Sequence, residues 1–142
     1  MSYSLGIKVF GLGLIKHKKK LTEGFSSCFS PLKDELGNVP VEMQFDAFTN
    51  GAVLQVCEIY LEEHIIQKNT SKASILDAVF EEIYRRESLN VQERVQAWNE
   101  TSDEHFKQGQ EQANRHGDSS GQLKWLSKYS QEHFKRANNL ML

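Results

Sequence analysis

Residues 49–67 read TNGAVLQVCEIYLEEHIIQ, and this stretch decides the fold because it is compatible with two different structures. The pair Asn50-Gly51 lies between two apolar runs and is a strong signal for a tight β-hairpin. A hairpin there would make residues 52–61 a strand. The same residues also fit a helix, in which Thr49 or Asn50 would be the N-cap.

The spacing of the polar residues distinguishes the two structures. Gln55, Glu58 and Glu62 lie on one face of a helix. On a strand, the side chain of Gln55 would point away from both glutamates. We therefore predict a helix over residues 51–67 and keep the hairpin strand as the alternative.

The residues before this stretch predict a small antiparallel sheet within residues 3–46. Residues 5–14 alternate apolar side chains with glycine and lysine, and each of their three glycines would cost a helix about 1 kcal/mol. A strand with a bulge near Phe10-Gly11 explains the pattern. Residues 21–37 predict a loop, and the alternation over residues 39–45 predicts a half-buried strand.

The residues after this stretch predict three further helices. Apolar stripes indicate helices over residues 72–87, from residue 90 onward and over residues 122–139. The glycine-containing break at residues 116–121 suggests that the last two helices form an antiparallel hairpin. The sequence leaves open whether residues 107–121 are ordered.

Length and composition suit one domain. The chain has 142 residues, of which 39% are hydrophobic and 25% charged, and this is the composition of a globular protein. We expect a single α+β domain over residues 1–142, predominantly α, with a β-rich part over 1–50 and a helical part over 51–142. Strands come first and helices afterwards, which is typical of that class.

Cysteine usage and the apolar run near the amino terminus bear on location. Cys28 and Cys57 are too few for a disulfide framework. The apolar run over residues 5–15 is too short to span a bilayer as a helix, and basic residues follow it rather than precede it as they would in a secretory signal. We therefore expect a cytoplasmic protein without a membrane span.

Charge is distributed unevenly along the chain. Residues 1–40 carry six lysines and three acids, a net +3, whereas residues 41–90 carry four basic residues and nine acids, a net −5. Four of the lysines lie together as Lys16, Lys18, Lys19 and Lys20. Such a run can contact phosphates of DNA or RNA, or another anion, and it can equally be a solvated end of an element.

One short internal similarity is present. Residues 102–107, SDEHFK, recur as SQEHFK at residues 130–135. In a hairpin of the last two helices, His105 would lie level with His133, which makes the pair a possible polar site. Aromatic residues in these helices could instead contact a partner: Trp98, Phe106, Trp125 and Phe134.

Three functions stay open at this point. The leading hypothesis is a non-catalytic interaction or regulatory protein that acts through helix faces, forms a homodimer and binds an unidentified protein. The second is a nucleic-acid-associated protein that uses the basic run. The third is a small-molecule-binding protein or enzyme with a pocket between sheet and helices. The sequence contains no arrangement that assigns a catalytic residue, a metal ligand or a cofactor.

Overall fold

Helices make up the whole regular structure of the part of the chain that can be described. A computed structural model describes the backbone of residues 2–64, 69–117 and 123–137, and the side chains of residues 14–64, 71–117 and 123–137. The elements in chain order are α1 (Ser2–Phe29), α2 (Ala47–His64), α3 (Asn69–Tyr84), α4 (Ser88–Glu100), α5 (Glu104–His116) and α6 (Lys124–His133). Short 3-10 turns cover Ser30–Leu32, Val41–Phe45 and Arg85–Glu87.

The predicted amino-terminal sheet, and with it the α+β class, is wrong. No strand occurs in the described ranges, and the chain folds as a helical bundle. Helix α1 forms because Leu21, Phe25, Cys28 and Phe29 recur at helical spacing and are all buried. The burial of these four side chains outweighs the low helix propensity of the glycines. All four lie within residues 21–37, so the loop predicted there is wrong up to Phe29.

The strand predicted over residues 39–45 is also wrong. Val39 and Met43 are buried, but Val41 and Phe45 are each 57% exposed. A half-buried strand would place all four side chains on one face. The 3-10 turn Val41–Phe45 turns alternate side chains outward instead.

The prediction of a helix after Asn50-Gly51 is confirmed in α2, which begins earlier than predicted. Asp46 is its N-cap, because Oδ2 of Asp46 accepts a hydrogen bond from the amide N–H of Thr49 at 3.0 Å. Asn50 lies inside the helix and is fully buried. Its amide nitrogen donates to the carbonyl oxygens of Met43 and Asp46, each at 2.9 Å, and its Oδ1 accepts from the Tyr84 hydroxyl at 2.6 Å.

The predicted hairpin of the last two helices is wrong as well. Helix α5 packs mainly on α2, whereas α6 packs on α1 and α2.

Two glycines permit the close crossing of α2 and α5. A Cβ atom at Gly51 would lie 3.0 Å from the carbonyl carbon of Phe106, and one at Gly109 would lie 2.9 Å from that of Phe48. Any larger residue would push the two backbones apart.

The helix predicted over residues 72–87 exists as α3, which begins at Asn69 and ends at Tyr84. The single helix predicted from residue 90 onward is wrong, because it is divided into α4 and α5, and α5 shows that residues 107–116 are helical. The helix predicted over residues 122–139 is the shorter α6, which ends at His133. Gly117 ends α5 in the left-handed conformation, with a φ of 50°, as is usual for a helix C-terminus. Residues 118–122 lie outside the described ranges. No helix in the described part is long and apolar enough to cross a membrane.

Candidate functional site

An open groove lies where the carboxyl-terminal half of α3 meets the start of α4. The 3-10 turn Arg85–Glu87 joins the two helices and forms one wall. The volume of the groove is about 880 Å³. Eight residues line it: Asp77, Ala78, Glu81, Glu82, Arg85, Arg86, Ser88 and Leu89.

The charged side chains of the groove do not neutralise each other. Glu81 and Arg85, like Glu82 and Arg86, have the i,i+4 spacing that forms ion pairs on a continuous helix. Here α3 ends at Tyr84, and Arg85 takes a left-handed backbone with a φ of 56°. Neither pair forms an ion pair among the described residues.

The wall formed by α4 combines a fixed polar network with one exposed apolar side chain. The side-chain amide of Gln92 donates to Oδ1 of Asp77 at 3.1 Å and to the Ser88 hydroxyl at 3.0 Å. Leu89 beside them is 70% exposed. The groove therefore presents three carboxylates, two guanidinium groups and an exposed leucine at the junction of two helices.

A second surface forms where the basic run of α1 meets the end of α2. The run lies within a helix, so its lysines point in different directions. Lys16, Lys19 and Lys20 are exposed on one side, and Lys18 is half-buried on another. Lys19 faces Glu23, at an Nζ–Oε1 distance of 4.0 Å. Lys16, Lys18 and Lys20 have no carboxylate partner among the described side chains.

Two imidazoles and a tyrosine lie beside these lysines. His17 Nδ1 is 2.6 Å from the Tyr60 hydroxyl, and His64 Nδ1 is 3.0 Å from the Tyr60 carbonyl oxygen. The ring centres of His17 and His64 are 5.7 Å apart. Lys20 Nζ lies 5.9 Å from the centre of the Tyr60 ring. We call Lys16, His17, Lys20, Tyr60 and His64 the cationic cluster.

The pKa of His17 reflects these surroundings. Burial lowers the pKa of His17 below its usual value, and the positive charges of His64, Lys16 and Lys20 lower it further. Like charges disfavour the protonated imidazole, as does partial removal from water. Positive charge thus accumulates in the cluster, and no carboxylate of the described side chains forms an ion pair with its lysines.

The two histidines of the sequence repeat are not brought together. His105 is exposed at the start of α5. His133 ends α6, where its ring stacks on Tyr129 with ring centres 3.9 Å apart. His133 Nδ1 also lies 2.8 Å from the Tyr129 carbonyl oxygen. The prediction that they face each other is wrong because α5 and α6 do not form a hairpin.

The four predicted interaction residues differ in exposure. Phe106 is 1% exposed and belongs to the core, where it supports the crossing of α2 and α5. Trp98 is half-buried, with its ring centre 6.2 Å from that of Phe106. Trp125 is half-buried and stacks on His116 at 4.7 Å, and Phe134 is half-buried against the core.

The cysteines do not form a site. Cys28 and Cys57 are both free and buried. Burial raises the pKa of the Cys28 thiol to about 12 and raises that of Cys57 as well. A thiol with a raised pKa is a poor nucleophile at neutral pH. Within the described ranges, no group of three or more His, Cys, Asp and Glu side chains is arranged to hold a metal ion.

Comparisons of the chain with protein-family models, with curated proteins and with solved structures found no match.

Sequence reasoning missed His17, Tyr60 and His64 as one group. The signal was present as two i,i+4 pairs, Lys16 with Lys20 and Tyr60 with His64, which share a face only if both segments are helical. The strand predicted at the amino terminus concealed the first pair. The groove could not be found from sequence, because it depends on where α3 ends.

Proposed function

We propose that this protein is a non-catalytic interaction protein whose docking site is the groove between α3 and α4. The observation that carries the proposal is the pair of carboxylates Glu81 and Glu82, which have no ion-pair partner in the described part of the chain, beside the exposed Leu89. An apolar side chain within a charged groove offers a partner segment both an apolar contact and ionic contacts.

The occupant that fits this groove is a basic amphipathic helical segment of a partner protein. The groove itself holds three carboxylates and two arginines, a net −1, and lies within residues 41–90, which carry a net −5, so a cationic segment is attracted to this part of the chain. Lysine or arginine side chains would pair with Asp77, Glu81 and Glu82, and an apolar side chain would cover Leu89. Such recognition lays one helix face into a groove, as in other helix-binding proteins.

The proposal can be tested with a synthetic amphipathic helix built from leucine and lysine. Fluorescence anisotropy should show saturable binding of this helix and none of the same helix with glutamate in place of lysine. The double variant Glu81→Gln/Glu82→Gln should weaken binding about fivefold, since exposed pairs contribute up to about 1 kcal/mol each.

The control is the double variant Glu111→Gln/Glu132→Gln, which removes two exposed acids outside the groove. It should change the affinity by less than about twofold, because salt screens most of the attraction between the helix and exposed charges outside the groove. Equal weakening by both double variants would mean that net charge alone attracts the helix, and the groove proposal would be refuted.

The homodimer is a prediction that does not depend on the groove. It was predicted from a polar hairpin of the last two helices, and that support is lost because α5 packs on α2. Self-association through helix faces is tested by the mass of the protein at micromolar concentration. A monomer would refute it without affecting the groove.

We also propose that the protein works in a reducing compartment such as the cytoplasm. Two free, buried cysteines suit such a compartment.

The earlier alternatives are affected differently by the fold. A pocket between sheet and helices is not available in the described part, because it contains no strand. The basic run lies beside Tyr60, which contacts both His17 and Lys20.

A further inference from the structure

We propose that the cationic cluster at the junction of α1 and α2 binds a phosphate monoester group. The ligand class is a small phosphorylated molecule or the terminal phosphate of a nucleotide. This site shares no residue with the groove, so either proposal can fail without the other.

Convergence of donors is the first reason. Lys16 and Lys20 are one helical turn apart on α1, and Tyr60 and His64 are one turn apart on α2. His17 joins the two pairs through its contact with the Tyr60 hydroxyl at 2.6 Å. Two ammonium groups and two imidazoles thus lie on neighbouring turns of α1 and α2 that meet at the His17–Tyr60 contact, and a phosphate can accept hydrogen bonds from several such donors at once.

The absence of a counter-ion is the second reason. In the side chains that the structure describes, no carboxylate pairs with Lys16 or Lys20. A second tyrosine–histidine pair of the same spacing shows the contrast. The Tyr129 hydroxyl, beside His133, donates to Oδ2 of Asp46 at 3.2 Å, so that pair has its own anion. Among the described side chains the cationic cluster has no such anion, and its charges can be offset by a ligand.

The compact shape favours a monoester over a nucleic-acid strand. A polymer of singly charged phosphates is usually bound along an extended row of cations. Here Lys18 is half-buried and Lys19 faces Glu23, which leaves Lys16 and Lys20 beside the imidazoles. A monoester concentrates up to two negative charges on one group of three oxygens, which suits this arrangement.

Protonation gives a readout that surface charge alone would not. The neighbouring positive charges hold the pKa of His17 down. A bound anion would offset them, so the pKa of His17 should rise when the site is filled. By linkage, binding should strengthen as the pH falls from 8 towards 6, as far as the phosphate keeps its charge.

The test is an NMR titration of the full chain with inorganic phosphate, observing the histidine ring resonances at constant ionic strength. The expected result is a saturable shift of the His17 and His64 resonances, with a raised apparent pKa for His17. Chloride should produce neither change. Absence of a saturable shift at His17 and His64 would overturn the proposal.

Two double variants with the same i,i+4 spacing complete the test. Lys16→Gln/Lys20→Gln should weaken phosphate binding about tenfold, because two exposed charge contacts are lost and each contributes little. Lys124→Gln/Lys128→Gln changes two exposed lysines of α6 and should weaken it less than twofold. All four lysines are exposed, and circular dichroism would verify that both variants fold.

Equal weakening by the two double variants would overturn the proposal in favour of diffuse attraction. Binding of a single-stranded oligonucleotide is measured in the same way and compared with binding of inorganic phosphate. If it binds more tightly than inorganic phosphate, and Lys18→Gln/Lys19→Gln reduces that binding as much as Lys16→Gln/Lys20→Gln, the surface is a nucleic-acid site and the monoester proposal is refuted.

Discussion

Replacing Gly109 with alanine tests the crossing of α2 and α5 on which the bundle depends. In an exposed helix this change would stabilise the protein by about 1 kcal/mol, because alanine has the higher helix propensity. At residue 109 the new Cβ would lie 2.9 Å from the carbonyl carbon of Phe48 and 3.0 Å from the amide nitrogen of Ala52. Ordinary carbon contacts lie at about 3.5–4.0 Å.

The obstacle at Gly109 is the backbone of α2 at both Phe48 and Ala52, so no side chain can rotate away from the new methyl group. The two helices must separate, and overpacking of this kind costs about 1–3 kcal/mol. We take the upper end because neither neighbour can yield. Less the gain in helix propensity, Gly109→Ala should lower the free energy of unfolding by about 2 kcal/mol.

Urea denaturation followed by circular dichroism measures this free energy, and Tm should fall by about 4–8 °C. Gln108→Ala is the control, since Gln108 is exposed on the same helix. It should change stability by less than about 0.5 kcal/mol. A Gly109→Ala protein as stable as the wild type would refute the close crossing, and one more stable would indicate that α5 is a free helix.

Three further predictions concern the core and the cationic cluster. Tyr84→Phe leaves Oδ1 of the buried Asn50 without its partner and should cost about 1–3 kcal/mol in urea denaturation, whereas a loss below 0.5 kcal/mol would contradict the network. The pKa of His17 is lower in the folded protein than its ordinary value of 6.5, so folding favours the neutral imidazole. The resulting contribution to the free energy of unfolding is complete above pH 6.5 and is lost as the pH falls through the folded-state pKa. His17→Gln should therefore lose less stability between pH 7 and pH 5 than the wild type, and equal losses would contradict this reasoning. Cys28 and Cys57 should react with a thiol reagent only after unfolding, and rapid labelling of the native protein would show that they are accessible.

The helical half of the fold was predictable because its apolar residues repeat at helical spacing. Ile75, Val79, Phe80 and Ile83 form such a stripe in α3, and all four are buried. The phase of the polar residues in α2 correctly outweighed the turn signal of Asn50-Gly51. Gly51 does not form a turn. It lies in α2 at the point where the backbone of Phe106 in α5 comes close.

The amino-terminal half was not predicted, because local preference and tertiary packing disagree there. Glycines and alternating residues favour a strand over residues 5–14, but α1 is stabilised by Phe25 and Phe29, both fully buried. Their spacing could have been found within the supposed loop. The elements that Phe25 and Phe29 pack against could not have been predicted, since they depend on long-range contacts of the whole bundle.

The candidate sites were predictable only in their parts. The basic run could be read from the sequence, but its place beside Tyr60 and His64 requires knowing that α1 is a helix and where α2 ends. The hairpin of the last two helices was inferred from the glycine-containing break at residues 116–121. Such a break does not fix which helices pack together, and the close packing of Gly109 places α5 against α2.

The most direct test of the interaction proposal is an NMR map of the binding surface. The leucine–lysine helix would be added to the isotopically labelled protein, and the shift of each backbone amide followed. The account predicts that the largest changes lie between Asp77 and Leu89, at the groove of α3 and α4. Changes concentrated elsewhere, or no saturable change in this segment, would contradict the claim that the groove is the docking site.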